Sequence, residues 1–269
     1  MMEVDKREGT RRYWYSYTTV STYSREIHDH AFLLKCSPMD DGAQRIETAR
    51  VEVVDAGNLS ARADGSGATA HFGVIAAPHR RFIAVSQGIV DCGEYCFQGA
   101  ADTRRYLSPT ALTVPSASIA GIAAGIAVPV DTSGQCEALV MSLMHSVYSH
   151  MAYLPGVTCV ATTAAEAWEG REGVCQDYAH ILLSLCRCCG IPARYVSGLM
   201  EGEGATHAWV EVWTGKCWHG FDPTHDRKVT YGYLKLSHGR DARDCDVVRG
   251  MYRGCADEHT EVSVNVMEL

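Results

Sequence analysis

The stretch Gly173-Val174-Cys175-Gln176-Asp177-Tyr178-Ala179-His180-Ile181-Leu182-Leu183-Ser184-Leu185 sets a glycine-led turn directly against a strongly apolar run. Val174, Tyr178, Ile181, Leu182, Leu185 and Cys189 recur at helical spacing, and Gly190 followed by Ile191-Pro192 is a C-terminal stop. The helix therefore opens at Cys175. Its aligned peptide dipoles place about half a positive charge beside that sulfur, which favours thiolate over thiol. The unpaired N–H groups of the first turn can also receive an oxyanion. Asp177 sits where it can cap this helix or meet a substrate, and the cap is the simpler reading. His180 is five positions from Cys175, off its face, and reads as structural.

Beyond the helix the pattern changes to strands. Ala193-Arg194-Tyr195-Val196-Ser197-Gly198-Leu199 is extended, and Thr206 to Asp222 reads as a hairpin turning at Thr214-Gly215. With a two-residue loop at 214–215, or a four-residue loop at 213–216, facing positions sum to 429. His207 then faces Asp222 on one side of the sheet, with Cβ atoms ~5 Å apart. A one-residue slip would separate them. Cys175, His207 and Asp222 thus appear in the order nucleophile, base, orienter. His219 and His225 flank the hairpin without a facing carboxylate in this register. Glu201-Gly202-Glu203-Gly204 is an acidic loop that can rim the site.

Upstream, apolar residues at Val140, Leu143, Met144, Val147 and Met151 mark a helix that Asp131-Thr132-Ser133 can cap. Thr163-Ala164-Ala165-Glu166 is a capping box for a second helix ending near Gly170. Residues 11–105 are instead strands and turns, as in Tyr13-Trp14-Tyr15-Ser16-Tyr17 and Arg50-Val51-Glu52-Val53-Val54. Their spacing predicts a β-sandwich-like unit. The expected organisation is an N-terminal β-rich domain over 1–110, a connecting segment over 111–130, and a core over 131–269. Helices followed by an antiparallel meander give an α+β fold class, with the nucleophile helix packed on the sheet.

The 269 residues are 46% hydrophobic, enough for two cores, and carry a formal charge of −8. Phosphate binding needs a dense basic patch, and Arg80-Arg81 and Arg104-Arg105 are only pairs, so a nucleic-acid partner is not expected. No apolar run reaches membrane-spanning length, and Met1 to Arg7 lacks a signal-peptide core, which predicts a cytoplasmic chain. In that compartment the twelve cysteines are expected as thiols. Cys186, Cys188 and Cys189 read as packing residues late in the thiol helix. Cys92 and Cys96 read as packing or loop thiols, with a metal or redox pair as the alternative. No four-ligand zinc pattern is evident, so no metal or other cofactor is expected.

Gly173-Val174-Cys175 with Asp177-Tyr178-Ala179, Gly190-Ile191-Pro192-Ala193-Arg194, His207-Ala208-Trp209 and Asp222-Pro223-Thr224 together resemble the core of the bacterial transglutaminase-like superfamily. Gly239-Arg240-Asp241 and Gly250-Met251-Tyr252 extend the likeness, and the β-rich first half resembles the N-terminal domain that often precedes that core. The resemblance implies a papain-like core with a Cys-His-Asp triad at Cys175, His207 and Asp222. It also implies a Trp indole as oxyanion or substrate contact, with Trp168 and Trp209 as candidates beside Asp177. The implied activity is cysteine-dependent hydrolysis of an amide or peptide bond through a thioester, acting on a peptide or protein substrate. Acyl transfer to an amine, as in a transglutaminase, differs only in the acceptor. A binding or scaffold module is a third reading, disfavoured by the intact Cys, His and Asp.

Overall fold

The computed structural model describes residues 9–97, 103–126 and 133–269. Strands come first: β1 (Arg11–Leu34), β2 (Gln44–Val53), β3 (Ser60–Ala63), β4 (Thr69–Ile75) and β5 (His79–Cys92). Four helices follow, α1 (Ala117–Ala124), α2 (Ser133–His150), α3 (Ala164–Gly170) and α4 (Cys175–Cys188), with short β6 (Ala152–Tyr153) and β7 (Glu172–Gly173) between them. The chain then forms β8 (Ala193–Met200), β9 (Thr206–Trp213), β10 (Trp218–Asp222), β11 (Arg227–Lys228) and β12 (Tyr233–Gly239). It closes with β13 (Val248–Arg253) and β14 (Glu258–Glu268). The fold is α+β, as its sequence pattern predicts.

The first sheet is organised by β1, whose period-2 pattern turns Tyr13, Tyr15, Tyr17 and Thr19 inward. Its 24 residues serve two halves. The first half pairs antiparallel with β5 and β14, and the second with β4 and β13. Residues 248–268, which the sequence reading groups with the core, therefore lie in the first sheet.

The second sheet has the order β11-β10-β9-β8-β12. Leu182, Leu185 and Cys186 of α4 pack with Ala193, Val210, Val212 and Phe221 of this sheet in one apolar cluster. Leu199, Leu234 and Leu236 point the other way and join Tyr15, Tyr17 and Phe82 of the first sheet. The second sheet is thus a shared middle layer, which is why the strands of α4's partner are buried almost throughout.

Local rules account for most helix limits. Thr163 and Glu166 form the capping box, with the Thr163 hydroxyl accepting from the Glu166 N–H and the Glu166 carboxylate accepting from the Thr163 N–H. Gly190 takes φ 69° immediately after α4, the left-handed stop that glycine permits. Of the proposed cap of α2, Asp131 and Thr132 lie outside the described residues, as does the Met1–Arg7 start. Helix α1 carries no recognisable start in its Ser- and Ala-rich sequence beyond Ser116, whose hydroxyl accepts from the Ile119 N–H.

Two sequence expectations need correction. The hairpin pairs Trp213 with Trp218 and Val210 with Phe221, so facing positions sum to 431, not 429. The loop is 214–217, closed by the Thr214 N–H donating to the Cys217 carbonyl. Second, Cys96 and Cys217 form a disulfide, whereas the sequence predicts thiols, with a metal or redox pair of Cys92 and Cys96 as the alternative. Cys92 lies apart, buried in the first-sheet core. Cys186 and Cys189 are buried as expected, whereas Cys188 is exposed. Among the described residues no helix is long and apolar enough to cross a membrane.

Candidate active site

Cys175 is the first residue of α4 and is partly exposed at the edge of the helical core. The turn before it is built around Asp177, which is buried and accepts at Oδ2 from the Val174 N–H (2.8 Å) and the Thr158 hydroxyl (2.7 Å). Asp177 is therefore the helix cap, one of its two expected roles. Gly173 is required by this arrangement, because a Cβ there would lie 2.6 Å from Asp177 Oδ2 and 2.8 Å from its Cβ. Sequence, turn and cap together fix where the thiol emerges.

His207, near the start of β9, and Asp222, at the end of β10, lie diagonally rather than face to face because of the shifted register. A shift of two preserves the face of the sheet, and the side chains span the diagonal. His207 Nε2 donates to Asp222 Oδ2 at 2.8 Å. Both residues are buried. With Nε2 committed, Nδ1 is the ring nitrogen left for the thiol. Burial disfavours charge on His207, but hydrogen bonds with Asp222 and Cys175 and their negative charge outweigh it, and the imidazole is pushed up to about 10.

Asp222 is more heavily held than the sequence suggests. Its Oδ2 also accepts from His225 Nδ1 (2.9 Å) and the Tyr233 hydroxyl (2.7 Å), while Oδ1 accepts from the N–H groups of Thr224 (3.0 Å) and His225 (3.3 Å). Burial alone would raise this carboxyl. The hydrogen bonds from His207 and His225 and the His207 charge reverse that and hold it well below the usual carboxylate range. His225 Nε2 in turn lies 3.2 Å from Glu203 Oε1, which places the acidic loop 201–204 beside the site. Tyr233 is the residue that sequence reasoning missed, and His225, set aside there for want of a facing carboxylate, bonds Asp222 from the turn beyond the hairpin. His225, three positions past Asp222 in the turn after Pro223, was the available signal; Tyr233, eleven positions on, left none.

The two Trp candidates have other engagements. Trp209 donates its Nε1–H to the Tyr95 hydroxyl at 2.6 Å, so the indole proton is not free for an oxyanion. Its ring lies beside His207, with centroids 6.2 Å apart. Tyr95 in turn donates its O–H to Glu211 Oε1 (2.7 Å), a buried carboxylate also met by Arg194 and by Lys235 Nζ at 2.9 Å. Desolvation would raise Glu211, but those two cations bring it down to about 2. Trp168 is buried in the helical core, stacked on His150 with centroids 3.7 Å apart. His180 accepts from the Ala242 N–H at Nε2 and is kept neutral, brought down to about 4 chiefly by burial.

Two groups of side chains among the described residues bring metal-ligating atoms within 4.8 Å of one another: His207 with Asp222 and His225, and Cys96 with Cys217 and His219. In the first group, the facing atoms of both imidazoles are committed to the carboxylate.

Comparison with known proteins matches the chain to the transglutaminase-like superfamily model over residues 122–223 and to the bacterial transglutaminase-like N-terminal region over 13–91. It is 29% identical to the uncharacterized protein ML0607 of Mycobacterium leprae, over 87% of this chain and 91% of that one. It is 28% identical to the uncharacterized protein Rv2569c of Mycobacterium tuberculosis, over 96% of this chain and 93% of that one. A crystal structure of a proposed cysteine protease from Cytophaga hutchinsonii superposes with a TM-score of 0.80, at 22% identity, over 97% of this chain and 91% of that one. The two matched regions lead to one assignment: the chain carries a core of the transglutaminase-like superfamily, with the bacterial transglutaminase-like N-terminal region ahead of it.

Proposed function

We propose that the protein is a cysteine-dependent amide-bond hydrolase or peptidase in which Cys175 is the nucleophile, His207 the acid–base and Asp222 the orienting carboxylate. The observation that carries this reading is the His207 Nε2 bond to Asp222, which leaves Nδ1 toward a thiol at a helix N-terminus. The thiol proton passes to His207, and the sulfur attacks the substrate carbonyl carbon. The carbonyl oxygen becomes an oxyanion, received by the Cys175 backbone N–H in the unpaired first turn of α4. Collapse breaks the C–N bond, and His207 delivers its proton to the departing nitrogen. Water, deprotonated by His207, then cleaves the thioester and restores the thiol.

The elevated proton affinity of His207 supports an imidazolium at the site, the proton donor that departure of the nitrogen needs. An amine in place of water would give acyl transfer by the same steps. The test is labelling with an electrophilic amide probe. Modification confined to Cys175 and abolished by His207→Ala supports the reading; equal labelling of several thiols, or labelling indifferent to His207, overturns it. Measuring ammonia release against amine incorporation on a glutamine peptide then separates water from amine as acceptor.

A further inference from the structure

A second constellation lies at the other end of the hairpin from Asp222. Phe97 and Trp218 form an isolated antiparallel bridge, with reciprocal backbone hydrogen bonds of 3.2 and 3.0 Å. That bridge brings Cys96 beside Cys217, 121 residues away in sequence. His219 follows two positions after Cys217, and its Nε2 lies 3.2 Å from Cys217 Sγ. From α2 comes Glu137, with Oε1 3.4 Å from the same Nε2. Two sulfurs and one imidazole nitrogen thus lie within 4.8 Å of one another, and the Glu137 carboxylate reaches that imidazole from a third segment.

The two separations at His219 suit a tetrahedral ion once the sulfurs part. Zinc bonds of ~2.3 Å to sulfur and ~2.0 Å to nitrogen and oxygen give donor-to-donor edges of roughly 3.5 Å for S to N and roughly 3.3 Å for N to O. The observed values are 3.2 and 3.4 Å. Glu137 is oriented by Lys228, whose Nζ holds the other carboxylate oxygen. Two thiolates, one carboxylate, one divalent ion and the Lys228 ammonium sum to zero charge. Glu94 is the other charged group whose field reaches His219.

We propose that Cys96, Cys217, His219 and Glu137 form a Zn2+ site when the Cys96–Cys217 bond is reduced. A dithiol reductant transfers two hydrogens to the two sulfurs and itself closes to a disulfide. Zinc then displaces one proton from each thiol, so two protons leave per ion bound. In either state the segment at Cys96 stays fastened to the hairpin, by a covalent bond or through the metal, and in the metal state α2 is fastened as well.

The test uses the whole chain, reduced with a phosphine and freed of metal. Wild type is expected to take up one equivalent of Zn2+, and Co2+ in its place to show thiolate-to-cobalt charge-transfer bands with tetrahedral visible absorption. Cys96→Ser and His219→Ala are expected to abolish the tight equivalent, and Glu137→Gln, at a partly exposed position that spares folding, to weaken it about tenfold or more. Cobalt without thiolate bands, or uptake by wild type no greater than by Cys96→Ser, overturns the proposal. So does uptake that survives Cys96→Ser and disappears in His225→Ala, which would locate the ion at Asp222. Far-ultraviolet circular dichroism identifies any variant that fails to fold, and Glu137→Gln then decides.

Discussion

His225 Nδ1 donates to Asp222 Oδ2 at 2.9 Å, on the same oxygen that holds His207. One carboxylate oxygen therefore carries two imidazoles and a phenol, and its electron density is shared among them. Removing His225 leaves His207 as the only imidazole on that oxygen. His225→Ala is expected to change amide-hydrolysis kcat about fivefold, the worth of one hydrogen bond of about 1 kcal/mol. The acid limb of the pH profile should move with it. An unchanged profile would show that the second imidazole is a bystander.

Cys175→Ser and His207→Ala are each expected to reduce turnover by about 10^3-fold or more, and the double variant to lose little beyond either one. Asp222→Asn should impair turnover and also stability, by about 3 kcal/mol, since Asn keeps one acceptor oxygen for the two backbone N–H groups and turns an NH2 toward the three side-chain donors that Oδ2 held. Turnover assays beside urea titrations check both parts.

The pH dependence follows from the same contacts. His207 binds its proton more tightly folded, at about 10, than unfolded at about 6.5. Its contribution to stability is fully present below about pH 6.5 and is lost as pH rises through about 10. Asp222 shifts the opposite way, so its contribution is present above about pH 3.9 and disappears as pH falls through its lower folded value. The urea midpoint of wild type should therefore converge on that of His207→Gln between about pH 6.5 and about pH 10. A constant difference across that window would contradict the charged imidazole.

Gly173→Ala is expected to destabilise by about 1 to 3 kcal/mol, because the new methyl overlaps the Asp177 carboxylate. Adding Asp177→Ala removes the obstacle and the cap together. The double variant should therefore cost less than the sum of the two single changes, a coupling that a thermodynamic cycle measures.

How far the chain discloses itself follows from the range of each signal. The capping box at Thr163 and the glycine stop at Gly190 are decided by neighbours in sequence, and both read correctly. The hairpin was read two positions out, because the choice between loops 213–216 and 214–217 depends on the Thr214 bonds to the Cys217 carbonyl, not on residue type. That error was harmless to the pairing of His207 with Asp222, since only parity decides the face. The Cys96 bond to Cys217 and the Tyr233 bond to Asp222 were invisible because they rest on strand packing between distant segments. The partner of the Trp209 indole is beyond the reach of local signals for the same reason: its acceptor, Tyr95, is 114 residues away.

The pairing of β14 with β1 runs from Tyr13 opposite Glu268 to Tyr23 opposite Glu258. Those two strands lie far apart in sequence, so during synthesis the early strand emerges from the ribosome with one edge bare. It stays bare until residues 258–268 arrive, by which time α4 and the hairpin have been made. Shielding of that edge thus waits on residues 258–268, and a ribosome stalled before residue 258 would hold a nascent chain open to strand-to-strand aggregation.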